Sequence, residues 1–215
     1  MTWLLANPDE FAALFDEHTV LSLLPTLIGL VAAIPLGAAL RGLPRARTIA
    51  VVVAGIVFTI PSLALFVVIP GLIGTRILDP VNVVIALSMY SLALLVRSVL
   101  DALDGVPPAV RDAARAMGYS SLRRIVAVDL PVAVPVLVPA LRVVAVTNVS
   151  LVSVGAVIGI GGLGRLFTAG YQRSYPDQIV AGILGTVVLA LLIDRLIALA
   201  GWSLTRWQRV AEASA

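Results

Sequence analysis

The chain has 215 residues, of which 60% are hydrophobic and only 13% charged, with a formal net charge of +3 and a mean hydropathy of +1.07. A soluble domain carries about a quarter charged residues, so this balance excludes an ordinary water-soluble globule and points to an integral membrane protein. There is no cysteine and His18 is the only histidine, which excludes disulfides, a Cys nucleophile and a metal centre built on Cys or His. All fifteen basic residues are Arg, a bias of genome composition that does not suggest nucleic acid as a partner.

In chain order, the N-terminal segment carries Asp9, Glu10, Asp16 and Glu17 and no Arg, unlike a cleavable signal peptide. Phe11, Leu14 and Phe15 share one helical face, which suits either a helix lying on the outer membrane surface or a frayed terminus. His18 falls at the outer boundary, where a structural or interfacial role is expected. Five apolar stretches then follow, at 19–40, 48–70, 81–100, 134–158 and 178–201, each close to the roughly 20 residues that a crossing helix needs. The fourth is long enough to be split, which would give six spans; five is the preferred count. Arg41, Arg45 and Arg47 lie between the first two spans. Arg97, Arg111, Arg115, Arg123 and Arg124 lie around the connection between the third and fourth, and Arg206 and Arg209 follow the fifth. Arginine in short loops marks the cytoplasmic side, so the N-terminus is expected outside and the C-terminus inside, which an odd number of spans requires. No regulatory domain is expected after Trp207.

The connection between spans three and four is polar where the rest of the chain is not. Asp104 can cap a helix, Pro107 and Pro108 suit a first turn, and Gly118 suits a left-handed stop. Val110, Ala113, Ala114 and Met117 form one apolar face, with Arg111, Asp112 and Arg115 toward the other side. Ser120 or Ser121 can cap a second helix, whose apolar stripe is Leu122, Ile125 and Val126, before Leu130 and Pro131. A helix–turn–helix of about 25 residues cannot bury its own core. It is either a docking element for a cytoplasmic partner or an amphipathic connector on the inner leaflet, and the residues alone leave both open.

The run "DAARAMGYSSLRRIVAVDLP" resembles the EAA signature of permease subunits of ABC importers, on Asp112, Ala113, Ala114, Gly118, Val128, Leu130 and Pro131. The one departure is Asp112 where that pattern has Glu, which keeps the charge and shortens the reach. "TIPSLALFVVIPGLIG", "MYSLALLVRS" and "VGAVIGIGGLGRLFTAG" extend the likeness over nearly the whole chain, toward the osmoprotectant permeases for glycine betaine, choline or carnitine. Methionine permeases share the loop and the Gly-rich stretch. The resemblance implies an all-α polytopic membrane protein of the bacterial inner membrane, with about five transmembrane helices and a cytoplasmic coupling-helix hairpin at 101–131. Residues 1–18 would be an external segment, 19–207 the permease domain and 208–215 a cytoplasmic tail. It further implies an alternating-access cycle, with Val110, Asp112, Ala113, Ala114, Met117, Gly118, Leu122, Leu130 and Pro131 coupling to cytoplasmic ATPase subunits. A second permease copy or a sister permease and an extracytoplasmic substrate-binding protein would complete the assembly, and any aromatic cage for a quaternary ammonium ion would belong to that binding protein. The chain has no Walker A sequence, so no cofactor or catalytic residue is expected in it. The alternatives are an amino-acid permease, or a membrane scaffold docking a partner other than an ATPase.

Within the spans, Arg142 is a candidate for the translocation pathway or an ion pair, although snorkelling toward the inner headgroups is the preferred reading. Asn148 and Ser153 are further pathway candidates, and interhelical hydrogen bonding by Asn148 is an equal alternative. Pro131, Pro135 and Pro139 stripe one face and are expected to bend the entry to span four. Asp194 and Arg195, adjacent in sequence, project to different faces, so Asp194 is expected to anchor a neighbouring helix. Gly161, Gly162 and Gly164 imitate half of a dinucleotide fingerprint without its strand–helix context, and are placed at the external mouth.

Overall fold

A computed structural model of the chain describes residues 2–207; the expected tail at 208–215 lies outside them. Among the described residues all regular structure is helical: α1 Thr2–Ala6, α2 Pro8–Leu40, α3 Pro44–Thr59, α4 Ser62–Ile73, α5 Pro80–Asp104, α6 Pro108–Ala116, α7 Ser121–Arg124, α8 Leu130–Gly155, α9 Gly164–Gln172 and α10 Pro176–Leu204. Four helices, 8–40, 80–104, 121–158 and 176–204, are long and apolar enough to cross a membrane, and α3 with α4 makes a fifth if the bent pair is one span.

The expected second span is thus broken, with α4 turned by 102° from α3. Pro61 has no N–H and biases the residue before it out of the helical region. Ile60 accordingly ends α3 in an extended conformation, and the Tyr90 hydroxyl of α5 donates to its freed carbonyl.

The first span, α2, also differs from the expectation. It starts at Pro8 and runs without interruption for 33 residues, about 50 Å and well beyond the ~30 Å hydrocarbon core. Leu14 is buried with Trp3 against α10, and Phe11 and Phe15 pack onto the same cluster. The Trp3 backbone N–H donates to Asp177 at 3.1 Å. The aromatic stripe at the N-terminus therefore faces α10, and the segment is neither a surface helix nor frayed.

α5 is the centre of the bundle, packed by α2, α3, α4 and α8. Two glycines let α2 approach it: a Cβ on Gly29 would stand 2.3 Å from the Ser91 Cβ, and one on Gly37 2.5 Å from Val99. Small residues at helix contacts are the usual means of close packing where lipid supplies no hydrophobic drive. Asn148 of α8 then ties the three helices, its amide donating at 2.8 Å to both the Thr26 and the Ser91 hydroxyl.

Candidate cytoplasmic docking site and membrane-embedded polar groups

α6 is built by local signals. Pro107 precedes it and Pro108 fills its first turn. Its end is a Schellman turn, with the Gly118 N–H on Arg115 O at 2.9 Å and the Tyr119 N–H on Ala114 O at 3.1 Å. Gly118 has φ +79°, and nothing lies within 4 Å of where its Cβ would be, so conformation rather than space requires glycine there. Asp104 is not the cap of α6; it is the last residue of α5.

The predicted apolar face of α6 divides. Ala114 is 1% exposed, turned onto the bundle, whereas Met117 is 67% exposed and Val110 37%. Ala113 and Asp112 are exposed as well, and Asp112 accepts from Arg115 at 3.0 Å. Beyond the turn, Leu122 is 74% exposed, and the Arg123 guanidinium sits 4.6 Å from the Tyr119 ring centre. The result is a short helix backed on its own protein and presenting apolar side chains outward.

The second helix of the expected hairpin is not separate. α7, capped by Ser120, continues through a π-helical turn, Ile125–Asp129, into α8. The Leu130 N–H reaches Ile125 O, one residue further than in an α-helix. This wide turn precedes Pro131, whose missing N–H and ring would strain a regular ladder. The proline stripe therefore leaves α8 unbroken, and Leu130 and Pro131 form its first turn, half-buried and exposed respectively.

One arrangement was absent from the sequence reading. Asp129 is wholly buried and accepts from Arg41 Nη1 at 2.9 Å, with Arg124 Nε at 3.6 Å. The same Arg41 donates to Asp104 at 3.3 Å and to the Leu103 carbonyl oxygen. Arg47 pairs with Asp104 and, at 3.5 Å, with Asp101. A single guanidinium thus buckles the ends of α2 and α5 to the start of α8. The signal was a lone acid in "IVAVDLP", costly in an apolar run unless paired. Between α6 and this buckle lies a cleft of about 380 Å³ lined by Arg41, Arg111, Arg115 and Arg124.

Further along α8, Arg142 pairs with α10 rather than snorkelling. Its Nε and Nη2 donate to the two Asp194 oxygens at 2.7 and 2.8 Å, a bidentate pair between α8 and α10. Asn148 is buried in its three-helix knot, and Ser153 is half-buried against Gly164. Gly161, Gly162 and Gly164 are buried too. Gly162 has φ +46° and a Cβ there would stand 2.6 Å from that of His18. His18, fully buried, donates from Nε2 to Val149 O at 2.9 Å, and the neighbouring Glu17 pairs with Arg165. The glycine run is a close-packed turn of the bundle end opposite to α6.

Architecture and site together define a class: a polytopic membrane protein whose spans are buckled together beside a short helix with outward apolar side chains. The chain belongs to the family of binding-protein-dependent transport system inner membrane components, whose profile matches residues 26–203. It is 34% identical to the osmoprotectant import permease protein OsmW of Salmonella typhimurium over 91% of this chain and 92% of that protein. Against the glycine betaine/carnitine/choline transport system permease protein OpuCB of Bacillus subtilis it is 28% identical, over 92% and 90% of the two chains. Among solved structures it is similar to the MetNI methionine ABC transporter in an inward-facing conformation, with a TM-score of 0.78 and 25% identity over 96% of this chain and 98% of that one.

Proposed function

We propose that the chain is the permease subunit of an ATP-driven importer that moves an osmoprotectant, such as glycine betaine, carnitine or choline, into the cell. ATP is hydrolysed by separate cytoplasmic subunits that seat on α6, and an extracytoplasmic binding protein delivers the solute. Two permease subunits enclose the path, because five spans are too few to surround a gated solute route. The observation that carries this reading is α6 itself: its buried Ala114 fixes it to the bundle while Val110, Ala113 and Met117, joined by Leu122 of α7, are exposed. Docked ATPases that move α6 also move the buckle of Arg41 and Asp129, and through it the ends of α2, α5 and α8. A rigid lever of this kind suits alternating access.

Gly118→Val tests the coupling. A β-branched residue at φ +79° costs on the order of 1–3 kcal/mol and re-aims the exit of α6. ATPase co-purification and radiolabelled glycine betaine uptake are expected to fall together; survival of both refutes docking at α6. A second reading, with methionine as cargo, is favoured by the fold likeness to the methionine transporter. Uptake measured with both solutes decides between them.

A further inference from the structure

Most of the surface that the chain turns outward within its spans is apolar. Every exposed residue of α10 between Val180 and Leu192 is Val, Ile or Leu. The open face of α8 is different. Pro139, Arg142, Val143, Val146, Thr147 and Ser150 recur at helical spacing and form one stripe, with Val143 and Ser150 exposed, Arg142 and Thr147 half-exposed, and α10 reaching it through Asp194. The Thr147 hydroxyl donates to the Val143 carbonyl oxygen at 2.8 Å, so it is the half-exposed charge of Arg142 that belongs against water or protein rather than hydrocarbon.

Arg142 lies about 18 Å along α8 from Leu130, and Asp194 about 15 Å from the end of α10 at Leu204. A cleft of about 410 Å³ opens over the pair, lined also by Pro139, Val143, Val146 and Thr147. Two charges of opposite sign lining one cleft match a solute that carries both signs itself.

We propose that Arg142 and Asp194 are a membrane-embedded binding site for a zwitterionic solute, the guanidinium taking its carboxylate and the Asp194 carboxylate its cationic end. This rests on the importer reading above and adds to it a site and a substrate class. Without solute the two side chains close on each other, which compensates both charges. A zwitterion replaces each partner by an opposite charge of its own, so the pair opens without stranding either. Arg142 suits the carboxylate because its planar fork is bidentate, the geometry it already shows toward Asp194. A solute with a quaternary ammonium and no carboxylate engages only Asp194.

The test follows uptake of radiolabelled glycine betaine and choline by the chain assembled with its ATPase and binding-protein partners. If the unmodified assembly carries neither these nor any other zwitterion, the importer reading itself fails; the remaining outcomes concern the site alone. Arg142→Gln is expected to lower glycine betaine uptake about tenfold or more, as loss of a charged hydrogen-bond pair implies, and to spare choline uptake by comparison. Asp194→Asn is expected to lower both. The double variant Arg142→Met with Asp194→Leu separates binding from structure: it is expected to remain in the membrane at the unmodified level and still lose glycine betaine uptake, which decides the matter even where choline is not carried. Unchanged glycine betaine uptake in the double variant, or an equal loss of both solutes in Arg142→Gln, overturns the proposal. So does disappearance of the double variant from the membrane, which would make the pair a structural pin.

Discussion

Replacing Asp129 by Asn removes a negative charge that faces two guanidiniums at the cytoplasmic end of the bundle. Asp129 is completely buried, and the side chains of Arg41 and Arg124 are each only 15% exposed. Deleting one partner of a buried ion pair typically costs about 3–5 kcal/mol, because the other charge is left uncompensated. Arg41 keeps Asp104 and the Leu103 carbonyl oxygen, so the low end, about 3 kcal/mol, is expected, a factor of roughly 150 in the folding equilibrium. Unfolding of the purified protein in detergent, driven by a denaturing surfactant, measures that loss. Uptake and stimulated ATP hydrolysis in the assembled importer are expected to fall with it, although α6 is unaltered. Arg41→Met combined with Asp129→Leu removes both charges together and is expected to recover about 2 kcal/mol relative to the sum of the single variants. A coupling below about 0.5 kcal/mol in that cycle would refute the buckle as an energetic link between α2 and α8.

Three further substitutions separate packing from pathway. Gly29→Ala places a Cβ 2.3 Å from that of Ser91. It is expected to push α2 off α5 at a cost of about 1–3 kcal/mol, read as a lower unfolding midpoint. Gly162→Ala combines φ +46° with a 2.6 Å approach to His18, and a loss of about 1–3 kcal/mol is expected in the same measurement. Asn148→Leu deletes two interhelical hydrogen bonds worth about 0.6 kcal/mol each. Stability is expected to drop by about 1 kcal/mol with solute affinity unchanged; a selective loss of uptake at full stability would instead put Asn148 on the solute path.

Composition and local pattern determined much of this protein. A hydrocarbon solvent demands apolar side chains and internally paired backbone, so the apolar stretches and the Arg-rich loops were legible one segment at a time. The limits of α6 were legible as well. Proline in a first turn and glycine at a left-handed stop act within one helical turn, and nothing distant had to be known to place them. The same locality explains why Gly118, and not its neighbours, ends that helix.

Tertiary structure decided what depends on a partner across a helix interface. The stripe of Phe11, Leu14 and Phe15 is the same pattern whether it meets headgroups or α10, and only packing chose α10. Pro61 in an apolar run is compatible with a kink or a full turn; the Tyr90 hydroxyl on the Ile60 carbonyl oxygen satisfies the opened ladder and goes with the sharp break. Asp129 finds its guanidinium 88 residues away and Arg142 its carboxylate 52 residues away. A charge in a low-dielectric site is settled by whatever opposite charge the fold brings within a few ångströms. Sequence spacing therefore located α6, while the buckle beside it and the charge pair further along the spans exist only once the spans are packed.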